Sequence, residues 1–392
     1  MRKLPTKKNI FLHSRYIMLD INDDPDPENI EKVLEFPVKN SENMSYNDFF
    51  HQHMVKNLPC LIKNLMKNWK AMTDFVINNE PNIDFFATLD TTKEVPVANC
   101  SAKYFNSQEK CSMTLQEYLD YWMSNRSELL YLKDWHFTKD HPGGQDFYQV
   151  PDYFKSDWLN EYWQDKNDDY KFVYLGPQGS WTPFHTDVFG SYSWSANVSG
   201  YKKWIFFQPD TQPQNVYDIF RVIPKSEDFD MKLKSHGDLE YFEVVQGPGE
   251  VIFVPSGWYH QVLNMTDTLS INHNWFNATN IQYIWNQLRC ELQNVKKEIS
   301  DCFEVNDEEW KTTCQKVLLA SHGMNYSTFI DLLQVILTNR VKSQTNLGPN
   351  HLKYDLSKVI NVLENVANVT DDLLHSDMEK IKVLLNKTWD GI

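Results

Sequence analysis

The sequence lacks the features of several common protein classes. None of its six cysteines forms the C-x-x-C pair typical of zinc sites, and six are few for a disulfide scaffold of 392 residues. It has no basic excess either, because its net charge is −15, so general binding to nucleic acid is not expected. No flavin or nicotinamide fingerprint is visible. The chemistry must therefore be sought in other residues.

Long apolar runs are also missing. No run approaches the roughly 20 residues of a membrane-spanning helix. The amino-terminal stretch MRKLPTKKNIFLHSRYIML contains basic residues but no apolar core of the kind found in secretory signals. We therefore expect no membrane partner and a cytoplasmic location, with the nucleus as the alternative.

Hydrophobic residues make up 41% of the chain, which is enough for a substantial core. Short strand-like runs between glycine and proline turns occupy residues 171–276, a pattern typical of a β-barrel or jelly roll. Helical patterns follow after residue 280 and either mediate dimerisation or cover the barrel, the second being favoured. The predicted parts are a flexible arm (1–44), an α/β part packing on the barrel (45–160), a β-rich core (161–280) and a helical region (281–392).

Three residues inside the β-rich core could hold a metal. His185 and Asp187 are two residues apart, so on an extended strand they face the same side. His260 follows a Pro-Ser-Gly turn on another predicted strand and could supply the third ligand. Two histidines and one carboxylate form the facial triad that suits non-haem Fe(II). His273 is the rival third ligand, although a buried structural role fits it better, and an isolated H-x-D pair is more often structural.

A nearby strand suggests a co-substrate. Lys202 and Lys203 alternate along an apolar strand, so one of them points inward, where an ammonium is costly without an anion. A 2-oxo acid would supply both that anion and the two electrons that oxygenation needs. The hydroxyls of Thr182 and Tyr131, with the amides of Asn272 and Asn274, could complete a polar lining. The pattern leaves open which lysine is inward and whether both reach water at a strand end.

The sequence resembles the JmjC-domain oxygenases over roughly residues 45–280. The motifs H-T-D at 185–187, G-Y-K-K-W at 200–204 and P-S-G-W-Y-H at 255–260 have the family's order and spacing. The resemblance implies a cupin-like double-stranded β-helix that uses Fe(II), with 2-oxoglutarate and O₂ as co-substrates. It implies iron ligands at His185, Asp187 and His260, and a lysine for the distal carboxylate at Lys202 beside Thr182, with Tyr131 and Asn272 at weaker positions of the pocket.

Within that family, the stretches SWTPFHTDVFGSYSWSANVSGYKKW and VPSGWYHQVLNMTDTLSINHNW are similar to the members that hydroxylate a lysine of the translation-termination release factor. This implies a protein partner, a lysine-bearing translation factor. The absence of a Cys/His zinc module or reader domain also favours hydroxylation. The alternatives are an N-methyl-lysine demethylase, a zinc or manganese cupin enzyme, and a non-catalytic cupin-type binding module. The oligomeric state stays open.

Overall fold

The protein is described from a computed structural model. It describes residues 33–389, except 105–106, 142, 167, 210, 212–239, 301–306, 343–347 and 370–371. The strands are β1 (Val33–Leu34), β2 (Val38–Asn40), β3 (Cys60–Lys63), β4 (Val76–Ile77), β5 (Glu80–Pro81), β6 (Glu94–Tyr104), β7 (Ser107–Thr114), β8 (Leu130–Trp135), β9 (Lys171–Gly176), β10 (Trp181–His185), β11 (Tyr192–Ser199), β12 (Lys202–Phe207), β13 (Tyr241–Gln246), β14 (Val251–Val254), β15 (Tyr259–Asn264) and β16 (Thr268–Trp275).

Short helices lie between β2 and β9, and longer helices follow β16. They are α1 (Tyr46–Phe49), α2 (Ala71–Asp74), α3 (Ile83–Ala87), α4 (Leu115–Met123), α5 (Phe137–Asp140), α6 (Trp158–Gln164), α7 (Ile281–Glu298), α8 (Asp307–His322), α9 (Tyr326–Val341), α10 (Pro349–Ala367) and α11 (His375–Trp389). No helix within the described ranges is both long and apolar enough to cross a membrane.

Two sheets pack face to face and form the core. The smaller sheet has the order β1-β13-β12-β15-β10, and the larger has the order β2-β3-β14-β11-β16-β9-β8-β6-β7. Trp204 and Phe206 of the smaller sheet share one apolar cluster with Ile252 and Val254 of the larger sheet. This packing confirms the predicted mostly-β core with helices on either side.

Alternation along the central strands gives the larger sheet two different faces. Ala196 of β11 and Ile271 of β16 belong to the main apolar core, together with buried residues of helices α1–α5. On the opposite face, the same strands present Ser195 and Asn272 toward the space between the sheets. A polar surface therefore lies inside the barrel, where an ordinary core would be apolar.

The structure changes two of the predicted parts, the flexible arm (1–44) and the α/β part (45–160). Residues 1–32 lie outside the described residues, but β1 pairs in parallel with β13, and β2 pairs in parallel with β3. The arm prediction is wrong for 33–44 because Phe36 is buried in the cluster between the sheets. In the 45–160 segment, β6, β7 and β8 extend the larger sheet, since β8 pairs with β9, so this part continues the core sheet.

The helices after residue 280 pack on one another and on α6. Their buried side chains, such as Trp285, Phe329 and Val362, form one apolar cluster with Trp158 and Leu159. Among the described residues this cluster is separate from the core around the larger sheet. The packing agrees with the favoured interpretation, in which the apolar stripes serve intramolecular contacts.

Candidate metal centre and co-substrate pocket

Three predicted ligands converge at one end of the smaller sheet. His185 ends β10 and lies directly opposite His260 in the antiparallel pairing with β15. Asp187 follows two residues after His185, and the ligand atoms of all three side chains lie within 4.8 Å of one another. The strand pairing therefore brings together residues that are far apart in the sequence, close enough to share one ion.

Backbone contacts set the tautomer of both histidines. Nδ1 of His185 lies 2.7 Å from the carbonyl oxygen of Pro183, and Nδ1 of His260 lies 3.1 Å from that of Trp258. Because a carbonyl oxygen only accepts, each Nδ1 carries the proton and each Nε2 keeps a free lone pair. Burial, assisted by the neighbouring His260, holds the pKa of His185 well below its usual value. The imidazole is thus neutral, the form that binds a metal.

The carboxylate of Asp187 is held from the larger sheet. The Ser193 hydroxyl donates to one of its oxygens at 2.7 Å, and the Asn274 amide donates to the other at 3.0 Å. Such contacts orient a carboxylate and are typical around metal ligands. Sequence reasoning placed Asn274 in the polar lining but missed Ser193, which strand alternation along SYSWSANVS could have identified.

The two candidate lysines point to opposite sides of β12. Lys202 is 2% exposed and shares a face with Phe206, which lies opposite His260. Lys203 instead pairs with Glu243 at 3.0 Å on the outer face. The structure thereby places Lys202 inside the barrel and Lys203 outside.

The ammonium of Lys202 has one polar neighbour among the described residues, the Tyr131 hydroxyl at 3.3 Å. Burial, reinforced by the nearby charge of Lys133, lowers the pKa of Lys202 to about 7. A buried amine without an anionic partner is costly, and a bound carboxylate would remove that cost. The site therefore fits an acidic ligand whose far end reaches the metal ligands.

A cavity of about 380 Å³ is lined by Thr182 and Asn272 together with the three metal-ligand candidates. Lys202 and Tyr131 are not part of its lining, but Lys202 lies on the same face of β12 as Trp204, which does line it. Gln108 and Ser195 also line it, and each has a buried oxygen without a partner in the described part of the chain. Neither residue was predicted, and Gln108 lies on a strand that has no sequence signal for a site.

His273, the alternative third ligand, does not lie at the metal site. Its Nε2 lies 2.8 Å from the Tyr148 hydroxyl, and its ring packs on Trp194 with the ring centroids 4.1 Å apart. It projects from the opposite face of β16 to Asn272 and Asn274 and is outside the metal cluster. Its position agrees with a buried structural role.

The residues present fit both groups that the sequence implied. Two imidazoles and one oriented carboxylate match the donor set of a facial triad, which leaves positions open for small ligands. The buried ammonium of Lys202 and the hydroxyl donors of Thr182 and Ser195 match the oxygens of a compact dicarboxylate.

Comparison with known proteins gives the same class. The JmjC domain, described as "JmjC domain, hydroxylase", matches residues 172–275, the segment that contains all three candidate ligands. A Drosophila melanogaster protein named "2-oxoglutarate and iron-dependent oxygenase JMJD4 homolog" is 38% identical, over 84% of this chain and 85% of the relative. The chain belongs to the JmjC family of iron- and 2-oxoglutarate-dependent oxygenases.

Other relatives cover a similar share. The human "2-oxoglutarate and iron-dependent oxygenase JMJD4" is 36% identical, over 86% of this chain and 84% of its own length. The Arabidopsis thaliana "Arginine-specific demethylase JMJ20" is 37% identical, over 84% of this chain and 77% of its own length. Membership makes the chain a 2-oxoglutarate-dependent dioxygenase, with Fe(II) as cofactor and 2-oxoglutarate and O₂ as co-substrates.

Proposed function

We propose that the chain is a protein hydroxylase that oxidises a lysine side-chain carbon in a protein substrate, such as a translation-termination release factor. The main observation behind this proposal is one cavity lined by His185, Asp187 and His260, with Lys202 buried on the strand face that also carries Trp204 of the cavity lining. The similarity of the motifs to release-factor lysyl hydroxylases suggests the substrate. A translation factor as partner would place the reaction in the cytoplasm.

The protein's own residues would position the reactants. His185, Asp187 and His260 would hold Fe(II), and Lys202 would bind the distal carboxylate of 2-oxoglutarate. When bound, iron with 2-oxoglutarate and O₂ supplies an oxidant, while decarboxylation to succinate and CO₂ provides two electrons. Ser193 and Asn274 fix the carboxylate of Asp187 and would hold it in place to bind the metal.

Demethylation of an N-methylated side chain is the second candidate. The relative named as an arginine-specific demethylase is as similar to this chain as several of the oxygenases, which favours this alternative. Both reactions begin by inserting oxygen into a C–H bond. They differ in whether the hydroxylated product is retained or loses formaldehyde.

Product masses separate the two candidates. The purified protein would be incubated with Fe(II), 2-oxoglutarate and either a translation release factor or peptides bearing lysine, N-methyl-lysine or N-methyl-arginine. Hydroxylation adds one oxygen to the lysine-bearing fragment, whereas demethylation removes one methyl group and releases formaldehyde. The proposal fails if no lysine gains oxygen while a methyl group is lost, or if succinate formation is never coupled to any substrate.

The proposed ligands are tested by His185→Ala. We expect this variant to lose metal binding, measured by equilibrium dialysis, and to lose turnover, because one of three ligands is missing. His51→Ala provides the matched control, since His51 is exposed and outside the metal cluster. Normal metal binding by His185→Ala would refute the assignment.

A further inference from the structure

We propose that Asp134 is a specificity-determining residue that binds the cationic side chain of the substrate at the open side of the cavity. This inference rests on the proposed function and deepens it by assigning a residue to substrate recognition. Among the described residues that line the cavity, the carboxylates are those of Asp134 and Asp187. Because Asp187 is a candidate metal ligand, Asp134 is the lining carboxylate left for another role.

The backbone directs this carboxylate in an unusual way. Asp134 has a φ of 63°, a left-handed conformation that costs free energy for a residue with a side chain. It lies where the pairing of β8 with β9 shifts register, between the pairs Leu132↔Leu175 and Trp135↔Val173. Such a bulge re-aims a side chain, and here both Lys133 and Asp134 line the same cavity.

Asp134 already binds an ammonium group, which shows that its geometry suits one. Lys110 donates to one carboxylate oxygen at 3.0 Å, and the Tyr174 hydroxyl donates to the other at 2.7 Å. The Lys110 side chain is 65% exposed, whereas that of Asp134 is 34% exposed. A substrate ammonium can therefore replace Lys110, which would return to water at little cost because exposed ion pairs are weak.

Aromatic side chains form a surface that leads to this carboxylate. Tyr170, Phe172 and Tyr174 all line the cavity, and we call them the aromatic wall. Their neighbouring ring centroids are 6.4 Å apart along β9. The methylenes of a long cationic side chain could pack on the aromatic wall while its ammonium reaches Asp134. An apolar side chain would pack on the aromatic wall but would make no ion pair with Asp134.

Lys133 also lines the cavity and would repel a cation. However, the two carboxylates of 2-oxoglutarate would remove two of the positive charges that Fe(II), Lys133 and Lys202 contribute, in addition to the one that Asp187 offsets. Exchange of the Lys110 ammonium for a substrate ammonium also leaves the local net charge unchanged. Recognition is therefore expected to be strongest with 2-oxoglutarate bound.

The test compares two labelled peptides, Gly-Ala-Lys-Ala-Gly and its norleucine counterpart, which lacks the ammonium. Binding to the full chain with Fe(II) and 2-oxoglutarate would be measured without oxygen by fluorescence anisotropy. We expect the wild type to prefer the lysine peptide by roughly two- to fivefold, because the ion pair with Asp134 is partly exposed and Lys110 competes for it. Asp134→Asn should lose this preference, and Lys110→Met should increase it, since the competing ammonium is gone.

Glu243→Gln is the matched control, because Glu243 is also 34% exposed and paired with a lysine but does not line the cavity. Unchanged 2-oxoglutarate affinity in Asp134→Asn would show that this variant is folded. Equal wild-type affinity for both peptides, or a preference that survives Asp134→Asn, would overturn the inference. If Asp134→Asn still prefers the lysine peptide but the wild type hydroxylates lysine, the proposed function stands and only the role of Asp134 is wrong. If Asp134→Asn loses the preference but the wild type forms no hydroxylated lysine, the role of Asp134 stands and only the proposed function is wrong.

Discussion

Lys202 combines a thermodynamic cost with a binding function. Its side chain is buried beside the Tyr131 hydroxyl, and desolvation lowers its pKa from 10.5 to about 7. In the absence of an anion, the ammonium and the neutral amine are therefore both populated near neutral pH. An acidic ligand favours the charged form, so ligand binding and protonation of Lys202 are coupled.

This coupling predicts the pH dependence of 2-oxoglutarate affinity. Below about pH 7 the amine is already charged, and affinity should change little. Above that pH, binding must take up a proton, so the dissociation constant should rise by at most about tenfold per pH unit until the pKa of the complex is reached. Isothermal titration calorimetry in buffers of different ionisation enthalpy would measure both the affinity and the proton uptake.

Lys202→Arg provides the control, since a guanidinium stays charged over this range. Its affinity for 2-oxoglutarate should be weaker than that of the wild type, because the geometry differs, but it should not decline with rising pH. A wild-type affinity that is constant from about pH 7 to 9, without proton uptake, would contradict the lowered pKa.

At the level of residues, the sequence predicts a side chain's direction where the spacing between two residues determines which face each occupies. Residues two apart in extended backbone share a face, and Asp187 keeps an extended conformation just after β10 ends at His185, so the two could be paired in advance. The choice between Lys202 and Lys203 required the register of β12 against β15, which alternation alone does not provide. Gln108 and Lys133 could not be predicted as cavity residues. Their positions beside the cavity depend on pairing between strands that are distant in the sequence, and on the bulge in β8.

At the level of elements, local capping signals were reliable. Thr114 and Glu117 form the capping box at the start of α4, which is the Thr-x-x-Glu pattern that marks a helix start in a sequence. By contrast, charged residues weaken the apolar pattern of α8 and α11. The strands β1 and β2 carry little local signal, because β1 depends on pairing with the distant β13 and β2 on parallel pairing with β3.

A buried ion-pair network connects three of the helices. Arg340 of α9 donates to Asp355 of α10 at 2.6 Å and to Glu161 of α6 at 2.9 and 3.0 Å. Asp355 is completely buried, so removal of Arg340 would leave an uncompensated charge. We expect Arg340→Met to lower the free energy of unfolding by about 3–5 kcal/mol, measured by urea denaturation.

Lys382→Met is the corresponding surface control. It breaks an ion pair with Glu379 in which both side chains are more than half exposed. Because water screens such pairs, the urea midpoint should not change measurably. Equal effects of the two substitutions would show that the buried network does not stabilise the packing of α6, α9 and α10.

At the level of the whole molecule, the metal site joins the two sheets. His185 and His260 belong to the smaller sheet, while Ser193 and Asn274, which hold Asp187, belong to the larger sheet. Lys202, further along the smaller sheet, would bind the distal carboxylate of 2-oxoglutarate. A metal and an oxo acid bound together would therefore link the ligands of one sheet with the carboxylate support of the other.

This arrangement predicts that the ligands stabilise the fold jointly. A ligand that binds only the native state at about 100 times its dissociation constant adds about 2.7 kcal/mol, and a joint site should require both ligands for the full effect. We expect Mn²⁺ and 2-oxoglutarate together to raise the melting temperature by more than the sum of their separate effects. Lys202→Met should retain the Mn²⁺ effect and lose the 2-oxoglutarate effect, whereas Lys203→Met, on the outer face, should retain both. A 2-oxoglutarate effect that survives Lys202→Met would mean that the distal carboxylate is bound elsewhere, with Lys133 as the remaining buried cation of the cavity.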